Sequence, residues 1–204
     1  FGSLDEELFP LADKAISQSG VKNFYVFHLM GAHSLYYLRF PYSFAKFTAD
    51  DIKRDISEEK RLEIAQYANA IFYNDYIVSG LIDKFRSTNA LVIYLPDHGE
   101  TVYDDSSSFA GHVEENPNHY MLEVPMIIWA SEQFKAKYPE KWAAIRSAVN
   151  RPYMTDDIIH TILDLADIAP EEFDPTRSVV SPSFNADRLR MVQGKNYDTE
   201  IRPD

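Results

Sequence analysis

The 204-residue sequence contains no cysteine. Neither a disulfide nor a thiolate ligand can form, so any metal must be held by His, Asp, Glu or hydroxyl groups. An apolar run of about 18 residues and a charged-then-apolar leader are also missing, and the chain is expected neither to span a membrane nor to carry a signal peptide. There is no basic excess. A formal charge of -12 argues against a nucleic-acid surface, which needs a basic stripe to displace counterions from phosphates. Internal repeats and low-complexity tracts are absent. The first residue is Phe1 rather than Met, from which the chain is expected to be a piece of something longer.

What is present is a globular composition, 45% hydrophobic and 14% aromatic, enough for one substantial core. Residues 1–170 read as the body of one domain and 171–204 as its partly irregular extension. Leu4 to Ser17 places Leu4, Leu8, Leu11 and Ile16 near one helical face, with Ser3 as candidate cap. Asn23 to His28 is short, aromatic and β-branched, which predicts a buried strand. Leu29 to Pro41 reads as loop. Ser57 caps a long predicted helix to about Arg86, with Leu62, Ala65, Ala68, Ile71, Phe72, Val78, Leu81, Ile82 and Phe85 on its apolar face. Ala90 to Leu95 is a second strand. Strand, helix and strand predict a βαβ unit with parallel strands. The following strand, Val124 to Ala130, has no helix before it and is expected to run antiparallel to its predecessor. Ser131 to Val149 and Thr155 to Ala166 are predicted helices, the second capped by Thr155, and order is expected to fade after Asn185.

The chemistry gathers at Leu91 to Thr101, LVIYLPDHGET. Five apolar residues form the strand, and the break at Pro96 delivers Asp97, His98, Gly99 and Glu100 onto a loop at its end. A carboxylate beside an imidazole offers the oxygen and nitrogen that Zn2+ accepts at about 2 Å each. The same pair also reads as a turn-capping Asp and an ordinary loop His. Parallel strands present their carboxyl ends on one edge, so His28 and Asp97-His98 are expected to converge there. Pro96 to Glu123 has the polar, aperiodic character of a functional loop and carries His112 and His119.

Four stretches together resemble the phosphoethanolamine transferases of the alkaline phosphatase and sulfatase superfamily, which modify bacterial lipopolysaccharide and periplasmic glucans. They are His28-Leu-Met-Gly-Ala-His33 with Tyr-Tyr-Leu-Arg-Phe-Pro41, Tyr67 to Ile77, Asp97-His-Gly-Glu-Thr101, and Val124-Pro-Met-Ile-Ile-Trp129. The resemblance implies an α/β fold: a three-layer α/β/α sandwich with a mostly parallel sheet, lacking its N-terminal part here. It implies zinc as cofactor, with Asp97 and His98 as ligands, while His33 and His112 contact the transferred phosphate or help hold a second metal. The family's threonine nucleophile and a further carboxylate ligand would lie upstream, and Thr101, which follows the ligands on their own loop, does not replace them. The chain alone is therefore expected to bind zinc weakly, to transfer nothing, and to self-associate through an uncovered face.

The implied donor is a phosphatidylethanolamine-type lipid and the acceptor lipopolysaccharide or a related glycan. The implied place is the periplasm, on an inner-membrane protein anchored through a region preceding this chain. His28 reads equally as a strand-terminating residue bonded to backbone and as a substrate contact. Glu100 either orients His98 or faces the substrate, and Tyr36, Tyr37 and Phe40 either pack or line an entrance. His119 reads as an exposed loop residue and His160 as a buried histidine with a partner. Two other classes stay open. A sulfatase commonly has asparagine where His98 stands and relies on an oxidised cysteine, so His98 speaks against it. A non-catalytic interaction module would keep the fold without retaining His33, Asp97, His98 and His112 together.

Overall fold

The computed structural model describes residues 3–18, 20–105 and 108–202. In chain order the elements are α1 (Leu8–Ser17), α2 (Glu58–Asp83), β1 (Leu91–Tyr94), β2 (Thr101–Val102), β3 (Ala110–Gly111), α3 (His119–Leu122), β4 (Ile127–Ala130), α4 (Glu132–Lys137), α5 (Pro139–Ser147), α6 (Ile158–Leu165), β5 (Met191–Val192) and β6 (Lys195–Asn196), with short 3-10 turns between them. Helices and strands are mixed, as in an α/β fold, and no described helix is long and apolar enough to cross a membrane. Two compact units divide the chain: Phe1–Phe85 with Glu100–Gly111, and Arg86–Gly99 with His112–Asp204.

The first unit is built on α2. The Oγ of Ser57 accepts from Lys60 N at its start, satisfying one of the helix's open donors. The buried face follows the prediction only in part: Ala65, Leu81 and Phe85 are buried as expected. Ala65, Asn69, Tyr73, Ile77 and Leu81 recur every four residues toward the core, whereas Leu62, Ile71 and Phe72 face outward. A polar residue can lead that stripe because its hydrogen bonds are made: Asn69 accepts from Lys46 N and Phe47 N and donates to Phe47 O. Ala12 of α1 packs on Tyr73, Ile77 and Leu81, with Phe27, Leu29, Phe40 and Phe44 around them. Ser3 does not cap α1, which is entered through a 3-10 turn at Asp5–Glu7 whose cap position, Leu4, offers no side-chain acceptor.

Asn23 to His28 is extended but not a strand. Tyr25, Phe27 and Leu29 turn inward and Phe24, Val26 and His28 outward, so the period of two survives. A strand, however, is a property of a pair of backbones, and no ladder partner for this segment exists among the described residues. The expected parallel pairing is correspondingly absent there, and the three described ladders are all antiparallel.

In the second unit β1 pairs with β4 in the expected antiparallel sense, Leu91 opposite Ala130 and Tyr94 opposite Ile127. Ser131 then caps α4 by accepting from Phe134 N, and Pro139 opens α5, where a missing N–H costs nothing. Ala130, Phe134, Ile145, Ala148, Val179 and Val180 form the core. Thr155 lies in a 3-10 turn, Thr155–Asp157, and does not cap α6; the preceding cap position is Met154, with no side-chain bond. The tail is folded through Arg202, contrary to its mixed, proline-punctuated sequence. Arg151 donates to the carbonyls of Val179 and Ser181, Val179 N donates to Thr161 Oγ1, and Arg177 and Arg188 both engage Asp156 and buried Asp157. Charge pairs of separate segments, illegible one residue at a time, supply the order.

Candidate functional site

The second unit carries the metal-type residues. The β1 ladder ends at Tyr94, and the chain leaves through Leu95 and Pro96, so Asp97 and His98 stand just beyond a fixed strand end. Asp97 Oδ1 accepts from His98 N at 3.1 Å, and its side chain is 88% exposed. The Nδ1 of His98 lies 2.9 Å from Gly99 O. A carbonyl only accepts, so Nδ1 is the donor in that contact and the nitrogen able to face a metal is Nε2. That nitrogen is 3.9 Å from Asp97 Oδ1. Two atoms each about 2 Å from a tetrahedral zinc are roughly 3.3 Å apart, a difference that rotation of an exposed carboxylate closes. The donor pair therefore suits zinc. Gly99 is demanded by close approach: its N–H donates to Met121 O at 2.8 Å, and a Cβ there would collide with the Tyr120 carbonyl. The imidazole of His112 lies against His98, centroids 3.7 Å apart and planes tilted 37°.

The first unit carries His28, His33 and Glu100. His28 and His33 are exposed. The segment between them is held from two sides. The carboxylate of Asp5 accepts from Met30 N at 3.0 Å and Gly31 N at 2.9 Å, and Gly31 there has φ 57°, open to glycine without strain. Arg39 donates from Nε to His33 O at 3.2 Å and from Nη2 to Ser34 O at 3.1 Å. The Oγ of Ser34 is 3.1 Å from His33 Nδ1. Glu100 leads into the hairpin of β2 and β3, and its Oε2 accepts from the hydroxyl of buried Tyr36 at 2.8 Å. Burial, then the bond and charge of Glu100, hold the Tyr36 phenol far above its usual pKa, so it stays protonated and donates to that carboxylate.

Each unit thus assembles part of the predicted set. Asp97, His98 and His112 come together in the second, and Glu100 gains a fixed partner in the first. Of its two readings Tyr36 follows the packing one, buried with Ala70 and Val102, and its hydroxyl also bonds Glu100. His119 is not on an irregular loop: it heads α3, half-buried, with its ring 3.8 Å from that of Tyr120. His160 is buried with a partner as expected, its Nδ1 accepting from Asp174 N at 3.1 Å. Asp5, Arg39 and the Tyr36 hydroxyl escaped sequence reasoning. Asp5 acts 25 residues away from Met30, where no local spacing reports it.

The sulfatase family model matches residues 1–168. The chain belongs to the sulfatase family. This sulfatase-family chain is 34% identical over 176 residues to "Phosphoethanolamine transferase EptC" of Escherichia coli K12, a match covering 84% of the chain and 30% of that protein. "Phosphoethanolamine transferase CptA" of Salmonella typhimurium is 36% identical over 168 residues, 80% of the chain and 29% of CptA. The chain thus spans about 30% of the length of the curated relatives it matches. Among solved structures, the C-terminal periplasmic domain of Escherichia coli EptC superposes with TM-score 0.87 at 31% identity, over 97% of this chain and 58% of that one. The same domain in complex with Zn gives TM-score 0.83 at 30% identity, over 97% and 57%. The α/β fold is that of these sulfatase-family periplasmic domains.

Proposed function

We propose that the protein containing this chain is a zinc-dependent transferase that moves phosphoethanolamine from a phosphatidylethanolamine-type lipid to lipopolysaccharide or a related glycan. The observation that carries the reading is the placement of His98 beside Asp97 at the end of β1. Its Nδ1 is bonded to Gly99 O and its Nε2 lies 3.9 Å from Asp97 Oδ1, in a family whose similar members are named phosphoethanolamine transferases. Asp97 and His98 would hold the metal. Bound zinc supplies a Lewis acid for the phosphoryl oxygens and lowers the pKa of a coordinated hydroxyl.

The chain's own residues do the rest in this reading. His112, packed against His98, and His33, on the segment braced by Asp5 and Arg39, offset the charge that spreads over the equatorial oxygens of the phosphoryl group. The order and spacing of the shared motifs support grouping His33 with the others. Glu100, whose Oε2 is held by Tyr36, and His28 contact substrate, a carboxylate being suited to the ammonium of ethanolamine. The nucleophile, a threonine in the family, is supplied from outside these residues. Residues 171–204 extend the same domain, and the place of action is the periplasmic face of the inner membrane, as the neighbouring periplasmic domains support. Transfer tests the reading. The gene product containing this chain, given phosphatidylethanolamine with a lipid A acceptor and, separately, an aryl sulfate, should consume only the first. Sulfate release without transfer would replace it with a sulfatase, and neither activity with the fold intact would leave an interaction module.

A further inference from the structure

The hairpin of β5 and β6 reaches back to the segment behind His98. It closes on the two-residue turn Gln193-Gly194, both at positive φ, the twist that a tight hairpin needs. The chain then enters the π-helical turn Tyr197–Ile201, capped by Asn196, whose Oδ1 accepts from Asp198 N at 2.9 Å. Two side chains leave this region for residues 79 and 74 positions earlier. Lys195 Nζ donates to Asn116 Oδ1 at 3.0 Å, and the hydroxyl of buried Tyr197 donates to Glu123 Oε1. The guanidinium of Arg190, itself paired with Asp198, lies 4.6 Å from the centroid of the Tyr197 ring and helps to hold it.

Asn116 and Glu123 bracket α3, and α3 is the wall on which Gly99 rests. Asn118 caps it by accepting from Met121 N at 3.2 Å, and Glu123 N closes it on His119 O at 2.8 Å. Gly99 N donates to Met121 O, and the Glu123 carbonyl borders the same glycine, 3.4 Å from where a Cβ would stand. Gly99 O is in turn the acceptor for His98 Nδ1. A series of bonded or abutting groups thus runs from Tyr197 through Glu123 and Gly99 to the His98 imidazole, all within the second unit.

We propose that Tyr197 is a positioning residue for His98: it holds α3, and through α3 the Gly99 peptide that orients the imidazole. The outer partner of a metal-ligating histidine fixes the direction of its ring, and a backbone carbonyl in that role is only as steady as the segment behind it. Anchorage of the tail does not require the contact with α3. Ser178 Oγ donates to Asp164 Oδ2 at 2.6 Å, and Arg151 donates to the carbonyls of Val179 and Ser181, so the tail is fastened elsewhere. The consequence for transfer rests on the reading of His98 as a zinc ligand; the coupling of Tyr197 to Gly99 does not.

The test compares Tyr197→Phe, Glu123→Gln and Ser178→Ala in the gene product containing this chain. Ser178→Ala removes a hydroxyl–carboxylate bond from the same tail without touching α3. Hydrogen exchange at the Gly99 amide, followed by mass spectrometry at single-residue resolution, reads the coupling. Tyr197→Phe should speed it about 10-fold, the worth of one hydrogen bond to a charged partner, and Ser178→Ala less than about 2-fold. Glu123→Gln, which keeps an acceptor for the hydroxyl, should fall between wild type and Tyr197→Phe. In transfer assays Tyr197→Phe should lower kcat about 10-fold with KM changed less than about 2-fold, while Ser178→Ala stays near wild type. Equal Gly99 exchange in wild type and Tyr197→Phe, equal acceleration in Ser178→Ala, or faster exchange with an unchanged kcat would each overturn the proposal. A wild type that transfers nothing would defeat the transferase reading instead, and Gly99 exchange alone would then decide the coupling.

Discussion

Tyr36, buried in the first unit, gives its only side-chain proton to Glu100, 64 residues further along the chain, at 2.8 Å. Tyr36→Phe keeps the ring on Tyr67, 5.0 Å away, and removes the donor alone. The expected loss is about 1–2 kcal/mol, a hydrogen bond to a charged partner that solvent partly replaces. In a Glu100→Ala background the same substitution should cost about 1 kcal/mol less, since the partner is already gone. Urea midpoints of the four proteins measure this, and additive costs would mean that the pair does not couple.

Gly99→Ala should be among the more damaging single substitutions on the loop. The added methyl meets a backbone carbonyl, Tyr120 O, which cannot swing aside as a side chain can. Relief requires moving the segment whose Met121 O accepts from Gly99 N. The expected cost is about 2–3 kcal/mol. Thermal unfolding at wild-type temperature would refute the close approach.

Zinc titrated into the 204-residue chain should bind weakly. A catalytic zinc site usually takes about three protein ligands, and the proposed set gives two, Asp97 and His98. Losing a ligand costs more than the roughly 10- to 100-fold that follows from changing the groups behind the ligands. Competition against a chromophoric chelator provides the readout. Tight one-to-one binding that Asp97→Ala abolishes would show a site complete within these residues.

Stability should hold to about pH 9–10 and then fall toward pH 12. The phenol of Tyr197 is pushed up to about 12 by burial and by its bond to Glu123. That of Tyr103 is raised to about 12 by its bond to Glu63 and by burial. Between about pH 10 and 12 the folded protein keeps both protons while the unfolded chain loses them, so rising pH favours unfolding. Urea midpoints across that range should decline, and less steeply in the Tyr103→Phe, Tyr197→Phe double variant. A midpoint flat to about pH 12 would contradict these shifts.

The sequence by itself determined what depends on near neighbours. The long helix after Ser57 follows from a cap and a period, the antiparallel run of β4 from the lack of a crossover, and the strand ending at Asp97-His98 from an apolar run met by Pro96. The absence of cysteine confined metal ligands to such residues. Family membership was legible too, since motif order and spacing are linear properties.

Only the tertiary structure decided what depends on distant partners. Asn69 leads the buried face of α2 because Lys46 and Phe47 fill its hydrogen bonds. Among the described residues Asn23 to His28 has no ladder partner, because a ladder needs a second edge, which no periodicity can promise. The tail is ordered because Asp156 and Asp157 meet two arginines about 20 and 30 residues away. The brace of Tyr36 on Glu100, 64 residues further along the chain, belongs to the same class. Hydrogen bonds act over about 3 Å of space whatever the separation along the chain, so a one-dimensional pattern cannot announce them.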